Sequence, residues 1–232
     1  GDLVPHLKSH DYNVVSLIHE LPTIINEYNA TLAYNNIIHL SDDIVFPAAF
    51  VRDQNNDAFG FPSGRPHIRP QERYKSLEWT DADVDEFRRK HQIPNDSHII
   101  LNVGHGDLRK GLDTFAQVAA SLASKRDDVF FVWVGSHNPS IKRWIDADIE
   151  RLQIQNVRFA PEMANIGPAF GAASAFFLSS REDPYPSVVL EAAACKLPIV
   201  ALCNTGGHCE FLAEYDRGYV VDGSNYAHIA NT

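Results

Sequence analysis

A chain of 232 residues is long enough to bury the core of one large domain, or of one complete domain with part of another. Its 44% hydrophobic and 22% charged content is that of an ordinary globular protein and argues against disorder or a fibrous repeat. The formal net charge of -10 argues against a general nucleic-acid binder, so an anionic ligand has to be met by a few local cations and backbone donors.

In chain order, residues 1–75 read as part of an α/β domain, with strands at 13–18, 43–45 and 67–69 but too few elements to close a second domain. The stretch 55–70, rich in Asn, Gly and Pro, reads as a loop. Residues 76–96 form a linker whose 77–92 segment, with Trp79, Val84 and Phe87 set among charges, predicts a short amphipathic helix. Residues 97–232 then alternate strand and helix with short loops, the pattern of a parallel sheet covered on both faces. Strands are expected at His98–Val103, Val129–Val134, 156–159, Ala175–Leu178, 198–202 and Gly218–Val221. The first intervening helix carries the stripe Leu112, Phe115, Val118, Ala119 and Leu122, and the second carries Ile141, Trp144, Ile145, Ile149 and Leu152. The fold class is thus α/β, a doubly wound, Rossmann-like parallel sheet with an incomplete second α/β portion.

No apolar run approaches the roughly 18–20 residues of a membrane-spanning helix, and the polar start Gly1-Asp2-Leu3-Val4-Pro5 is unlike a signal peptide. Cys195, Cys203 and Cys209 show no paired metal-ligand spacing and read as reduced thiols in a cytoplasmic protein. The chain is expected to be a fragment of a larger enzyme.

Chemistry concentrates in the segment from Asp183 to Glu191. Strand Ala175–Leu178 runs into polar residues, a proline-bearing turn follows, and a helix is expected to begin near Pro186 or Ser187. Ligands of doubly wound sheets bind beyond the carboxyl ends of strands. The backbone N–H groups of Ser187, Val188 and Val189 are therefore placed to receive a diphosphate. Glu191 stands out, because its helix is otherwise apolar on every side and a buried carboxylate needs a hydrogen-bonding partner. The hydroxyls of a ribose would serve, as would a neighbouring helix.

The second signal is Gly104-His105-Gly106-Asp107-Leu108-Arg109-Lys110-Gly111, directly after a strand. Glycine lets a ligand approach the backbone, and Arg109 and Lys110 supply cations, although a solvated turn would show the same composition. A nicotinamide-dinucleotide fingerprint would need glycine where Arg109 stands and an acid where Gly135-Ser136-His137 follows the next strand.

Together these features resemble the retaining glycosyltransferases of the GT-B fold, in the large family four. That family shows an acid, seven residues, then a glutamate before a small-residue helix. Asp183 and Glu191 have this spacing, with aspartate in place of the commoner glutamate. Lys110-Gly111 matches a second family pair, His105 stands where arginine is commoner, and Gly206-Gly207 with Glu210 matches a further element.

The resemblance implies a nucleotide-sugar donor, a carbohydrate or lipid-linked glycan acceptor as in polysaccharide biosynthesis, retention of configuration, and no cofactor or metal. It implies that Lys110, helped by Arg109, binds the diphosphate and Glu191 the ribose, beside the donor-binding residues Gly104, Ser187 and Val188 expected from the loop and the helix start. Asp183 would face the donor sugar, and residues 160–162 would lie beside the base. The strand ending at His19 looks like a late strand of the family's acceptor domain, whose terminal histidine points into the interdomain cleft. A hydrogen bond to nearby backbone is the plainer reading of His19. A non-catalytic nucleotide- or partner-binding fragment, and a nucleotide-sugar epimerase or a phosphorylase on a related fold, are the competing expectations.

Overall fold

The computed structural model describes residues 1–61 and 66–232. They fall into two compact units, one of Gly1–Glu72, Asp183–Pro186 and Gly206–Phe211, the other of Arg73–Glu182, Ser187–Thr205 and Leu212–Thr232.

The first unit contains α1 (Val4–Ser9), β1 (Val15–Leu17), α2 (Pro22–Glu27), α3 (Thr31–Leu40), β2 (Asp43–Phe46), α4 (Ala49–Phe59) and β3 (Pro66–Ile68). Its strands form a parallel sheet in the order β1-β2-β3. Ile18, Ile25, Ile38, Ile44, Phe46 and Val51 make the core.

The expected loop at 55–70 is corrected here, because α4 continues to Phe59 and β3 occupies 66–68. Residues 62–65 of that expected loop lie outside the described residues. Asparagine is a poor helix former in isolation, since its amide competes with the backbone. Asn55 is instead fully buried, with its amide bonded at every turn. The Tyr34 hydroxyl donates to its Oδ1 at 2.6 Å, and its Nδ2 donates to the carbonyls of Val51 at 2.8 Å and Glu20 at 3.1 Å. Tertiary hydrogen bonding overrides local preference until Gly60, at φ 70, ends the helix. Asn55→Ala is expected to strand the Tyr34 hydroxyl in the core and cost about 2 kcal/mol. An unchanged urea midpoint for that variant would contradict the account.

The second unit runs through α5 (Asp81–Lys90), β4 (His98–Val103), α6 (Leu112–Ala123), β5 (Val129–Val134), α7 (Pro139–Arg151) and β6 (Val157–Ala160). It continues with α8 (Gly167–Ala172), β7 (Ala175–Leu178), α9 (Ser187–Ala194), β8 (Ile199–Leu202), α10 (His208–Tyr215), β9 (Gly218–Val221) and α11 (Tyr226–Ile229), the start of α10 being counted with the first unit. The sheet is wholly parallel in the order β6-β5-β4-β7-β8-β9, the doubly wound arrangement expected. From β4 the chain steps outward through β5 and β6, then returns to place β7 on the other side of β4. The strand order therefore reverses between β4 and β7. Phe115 on α6 packs edge-on against Phe131 and Trp133, with ring centroids 5.3 Å apart in each case.

Two helices are shorter or narrower than their sequence patterns imply. The helix expected at 77–92 is α5 alone, because Thr80 caps it. Its Oγ1 accepts from the Asp83 N–H while the Asp83 carboxylate accepts from the Thr80 N–H at 2.8 Å. Trp79 therefore lies outside the helix, and its ring fills the space a Cβ would need on Gly171 of α8. In α7, Ile145 is the buried residue, while Trp144 is 58% exposed and Leu152 52% exposed beyond the helix end. Among the described residues, no helix is long and apolar enough to cross a membrane.

Candidate functional site

Residues 104–111 leave the carboxyl end of β4, and residues 179–182 leave that of β7, so both segments stand at the strand-order reversal. This is where a doubly wound sheet opens a ligand crevice. The backbone of Lys110 is held on both sides. Its N–H donates to the Asp107 carboxylate at 2.6 Å, and its carbonyl accepts from Ser179 Oγ at 3.2 Å. Ser179 Oγ in turn accepts from Nδ2 of Asn102, within β4, at 3.0 Å. Gly111 follows in the left-handed region, with φ 74, and a Cβ there would overlap the Ser179 carbonyl oxygen. Asn102 and Ser179 are both buried and were missed from sequence as site residues. The available signal was an asparagine inside an otherwise apolar strand.

The other residues of this segment sit as follows. Arg109 turns its guanidinium toward the β7 segment, where Nη1 donates to the Glu182 carbonyl at 3.1 Å. Gly104 has both backbone groups committed, its N–H to the Val134 carbonyl at 3.0 Å and its carbonyl to Trp133 Nε1 at 2.9 Å. What Gly104 offers a ligand is therefore space rather than a donor. His105 is exposed, with Nδ1 3.0 Å from Ser136 Oγ.

A cleft of about 340 Å³ opens beside this loop, lined by Gly104, His105, Gly135, Ser136, Glu162 and Met163 among others. Glu162, at the end of the 160–162 segment, thus faces the same cleft as the glycine loop. His137 packs edge-on against Phe159 nearby, and burial lowers its pKa below the ordinary histidine value.

Helix α9 begins at Ser187. Ser187 and Val188, both half-buried, occupy its first turn, where N–H groups have no acceptor within the helix. The helix is less enclosed than its apolar sequence implies: Val189, Glu191 and Ala192 are buried, whereas Ala194 is exposed. Glu191 is only 6% exposed, and its Oε2 has no hydrogen-bond partner among the described residues. Burial pushes its carboxyl above the ordinary carboxylate range, while Lys75 and Arg73 pull it back. Glu182 carries a second buried carboxylate oxygen, Oε1, without a partner among the described residues. Nothing in the sequence separates Glu182 from its neighbour Asp183, whose spacing to Glu191 is the stronger signal.

The remaining candidates belong to the first unit. Asp183 is 5% exposed, and a Cβ on Gly206 would overlap its carbonyl oxygen. The Gly207 N–H donates to the Pro184 carbonyl at 2.9 Å. Glu210 has a local structural task, accepting from the N–H groups of Ala49 at 3.0 Å and Phe50 at 2.6 Å. It thereby caps α4, whose own N-cap residue, Ala48, has no side-chain oxygen to offer. His19 is half-buried, one residue past the last ladder bond, from the Ile18 N–H to the Val45 carbonyl. No hydrogen bond of its ring to backbone is seen among the described residues.

The three cysteines are free thiols. Among the described residues, no group of three or more histidine, cysteine, aspartate or glutamate side chains is placed to hold a metal ion.

With this geometry in view, comparison with known proteins gives one family, described as glycosyl transferases group 1, whose pattern matches residues 83–232. The lipopolysaccharide glucosyltransferase WaaG of Escherichia coli K12 is 27% identical over 160 residues, covering 67% of this chain and 41% of that protein. The D-inositol 3-phosphate glycosyltransferase of Acidothermus cellulolyticus is 26% identical over 241 residues, covering 93% of this chain and 53% of that protein. This chain thus spans about half the length of these relatives. The fold is shared with Anabaena HepE, solved in complex with UDP-glucose, at a TM-score of 0.82 and 18% identity over 98% of this chain and 63% of that one.

Proposed function

From the premise that this chain belongs to the group 1 glycosyl transferases, we propose that it binds the nucleotide-sugar donor of a glycosyltransferase that transfers the sugar with retention to a carbohydrate or lipid-linked glycan acceptor. The observation that carries this reading is the buried Glu191 carboxylate with an unpartnered Oε2, in the helix after the β7 turn. An ionised carboxylate accepts from two vicinal hydroxyls at once, which is what a ribose presents.

The remaining roles follow from the charge that develops as the sugar–phosphate bond breaks. Positive charge grows on the sugar and negative charge on the departing diphosphate. Lys110, Arg109 and the first-turn N–H groups of Ser187 and Val188 are the fixed positive groups that would meet the latter. Gly104 clears space for the donor, and the cleft beside Glu162 would receive the base. Asp183 is assigned to holding the donor sugar, and His19 to the acceptor side of the transfer. No cofactor enters this scheme. Three free thiols favour a cytoplasmic setting.

A nucleoside diphosphate at saturating concentration is expected to raise the melting temperature of this chain. Lys110→Met should weaken its binding by about tenfold, roughly the 1.4 kcal/mol of one charge-assisted contact. The absence of any shift across UDP, GDP, ADP and CDP and their sugar conjugates would refute donor binding. Transfer itself is read in the full-length protein, where undiminished activity of an Asp183→Ala, His19→Ala double variant would remove both from the mechanism.

A further inference from the structure

Arg181 was not among the expected site residues, yet it makes the most extensive side-chain connection between the two segments at the strand-order reversal. Its Nη1 donates to the Leu108 carbonyl at 2.6 Å and to Asp113 Oδ1 at 2.7 Å, and its Nη2 donates to Asp113 Oδ2 at 2.7 Å. Its backbone N–H donates to the Arg109 carbonyl at 2.8 Å. A single residue, three positions past β7, therefore grips the β4 loop at positions 108 and 109 and the first turn of α6 at 113, on both sides of Lys110.

We infer that Arg181 is a positioning residue for the diphosphate site, fixing the Lys110 loop through its planar fork to Asp113 and the Leu108 carbonyl. This rests on the donor-binding reading above. A guanidinium satisfies the carboxylate and the carbonyl in fixed directions at once, which a lysine ammonium on a flexible stem does not reproduce. The reciprocal bond from Arg109 to the Glu182 carbonyl runs the opposite way, so the segments are tied from each side. The groups thus ordered belong to the loop that carries the phosphate-facing cations. Of the cleft-lining residues, Gly135, Ser136, Glu162 and Met163 lie on other segments, and Gly104 and His105, at the far end of the loop, are not bonded by Arg181. Loss of Arg181 should accordingly act on the phosphates of a bound nucleotide and spare its base and ribose.

The test compares the best-bound member of a UDP, GDP, ADP and CDP panel with its parent nucleoside, each titrated by calorimetry or competition. In Arg181→Met the diphosphate is expected to lose about tenfold in affinity, while the nucleoside changes by less than about twofold. Arg181→Lys should fail to restore the loss, and Asp113→Asn, which keeps one oxygen acceptor, should show the same ligand-selective pattern at smaller size. Either of these milder variants carries the test if Arg181→Met does not fold. Equal losses for diphosphate and nucleoside, no loss for either, or full rescue by lysine would each overturn the assignment. Failure of the unsubstituted chain to bind any of the diphosphates would overturn the donor reading itself, and this inference with it.

Discussion

Glu191→Gln is expected to make the unliganded chain more stable at neutral pH and to remove most of its protection by a nucleoside diphosphate. The two effects have one cause. Burial raises the folded-state pKa of this carboxyl above its unfolded value, so the folded chain holds the proton to a higher pH than the unfolded one does. Its contribution to stability is fully present below the unfolded pKa, about 4.3, and is lost as pH rises through the raised folded value. Glutamine carries no charge to desolvate, and its variant avoids that loss. At pH 7 the variant should be about 1–2 kcal/mol more stable, or roughly 2–8 °C higher in melting temperature for a chain of this size. At pH 4 the two proteins should melt together. A neutral amide accepts more weakly from two ribose hydroxyls, and diphosphate affinity should fall by about one to two orders of magnitude. Calorimetric melts at the two pH values, with and without nucleotide, read both effects. A variant that melted lower at pH 7 while keeping full protection would show that Glu191 serves the fold and not a ligand.

This carboxylate is also the clearest instance of a candidate-site feature that the sequence exposes. One acid in a run of valine, leucine and alanine contradicts its surroundings, and the structure buries it with one oxygen unpartnered among the described residues. The doubly wound sheet was legible for a related reason. Its buried parallel strands are continuous apolar runs, and the six of them between His98 and Val221 are found within one or two residues of where the pattern puts them.

The failures share another physical origin. Asn55, Trp79 and Trp144 each sit where local composition points one way and tertiary contacts or solvent decide. Asn55 stays helical because Tyr34 and two carbonyls occupy its amide. Trp79 leaves the helix because Thr80 caps it, and Trp144 stays exposed on the outer side of α7. The supports of the site were hidden in the same way. Asn102, Ser179 and Arg181 act across about seventy positions of sequence, and no spacing rule links a strand asparagine to a serine just past the end of β7. Sequence periodicity reports which face of an element is buried. It carries no record of which loops are tied together at its ends.

Those ties make Gly111→Ala a strongly damaging change. Gly111 has φ 74 and ψ 37 as the residue before α6, a conformation costing a non-glycine residue about 1–2 kcal/mol. Its added Cβ would also overlap the Ser179 carbonyl oxygen. That carbonyl is hard to move, because Ser179 is fully buried at the end of β7 and its hydroxyl is bonded to both Asn102 and the Lys110 carbonyl. The methyl group should force the two segments apart, at a total cost of about 3–4 kcal/mol, or a melting temperature lower by roughly 6–16 °C. Loss of stability beyond the conformational cost therefore measures how tightly the β4 loop is held against β7. A destabilisation of only about 1–2 kcal/mol, the cost of the left-handed conformation alone, would mean that the loop yields freely, and a loop that yields could not hold Lys110 and Arg109 against a diphosphate.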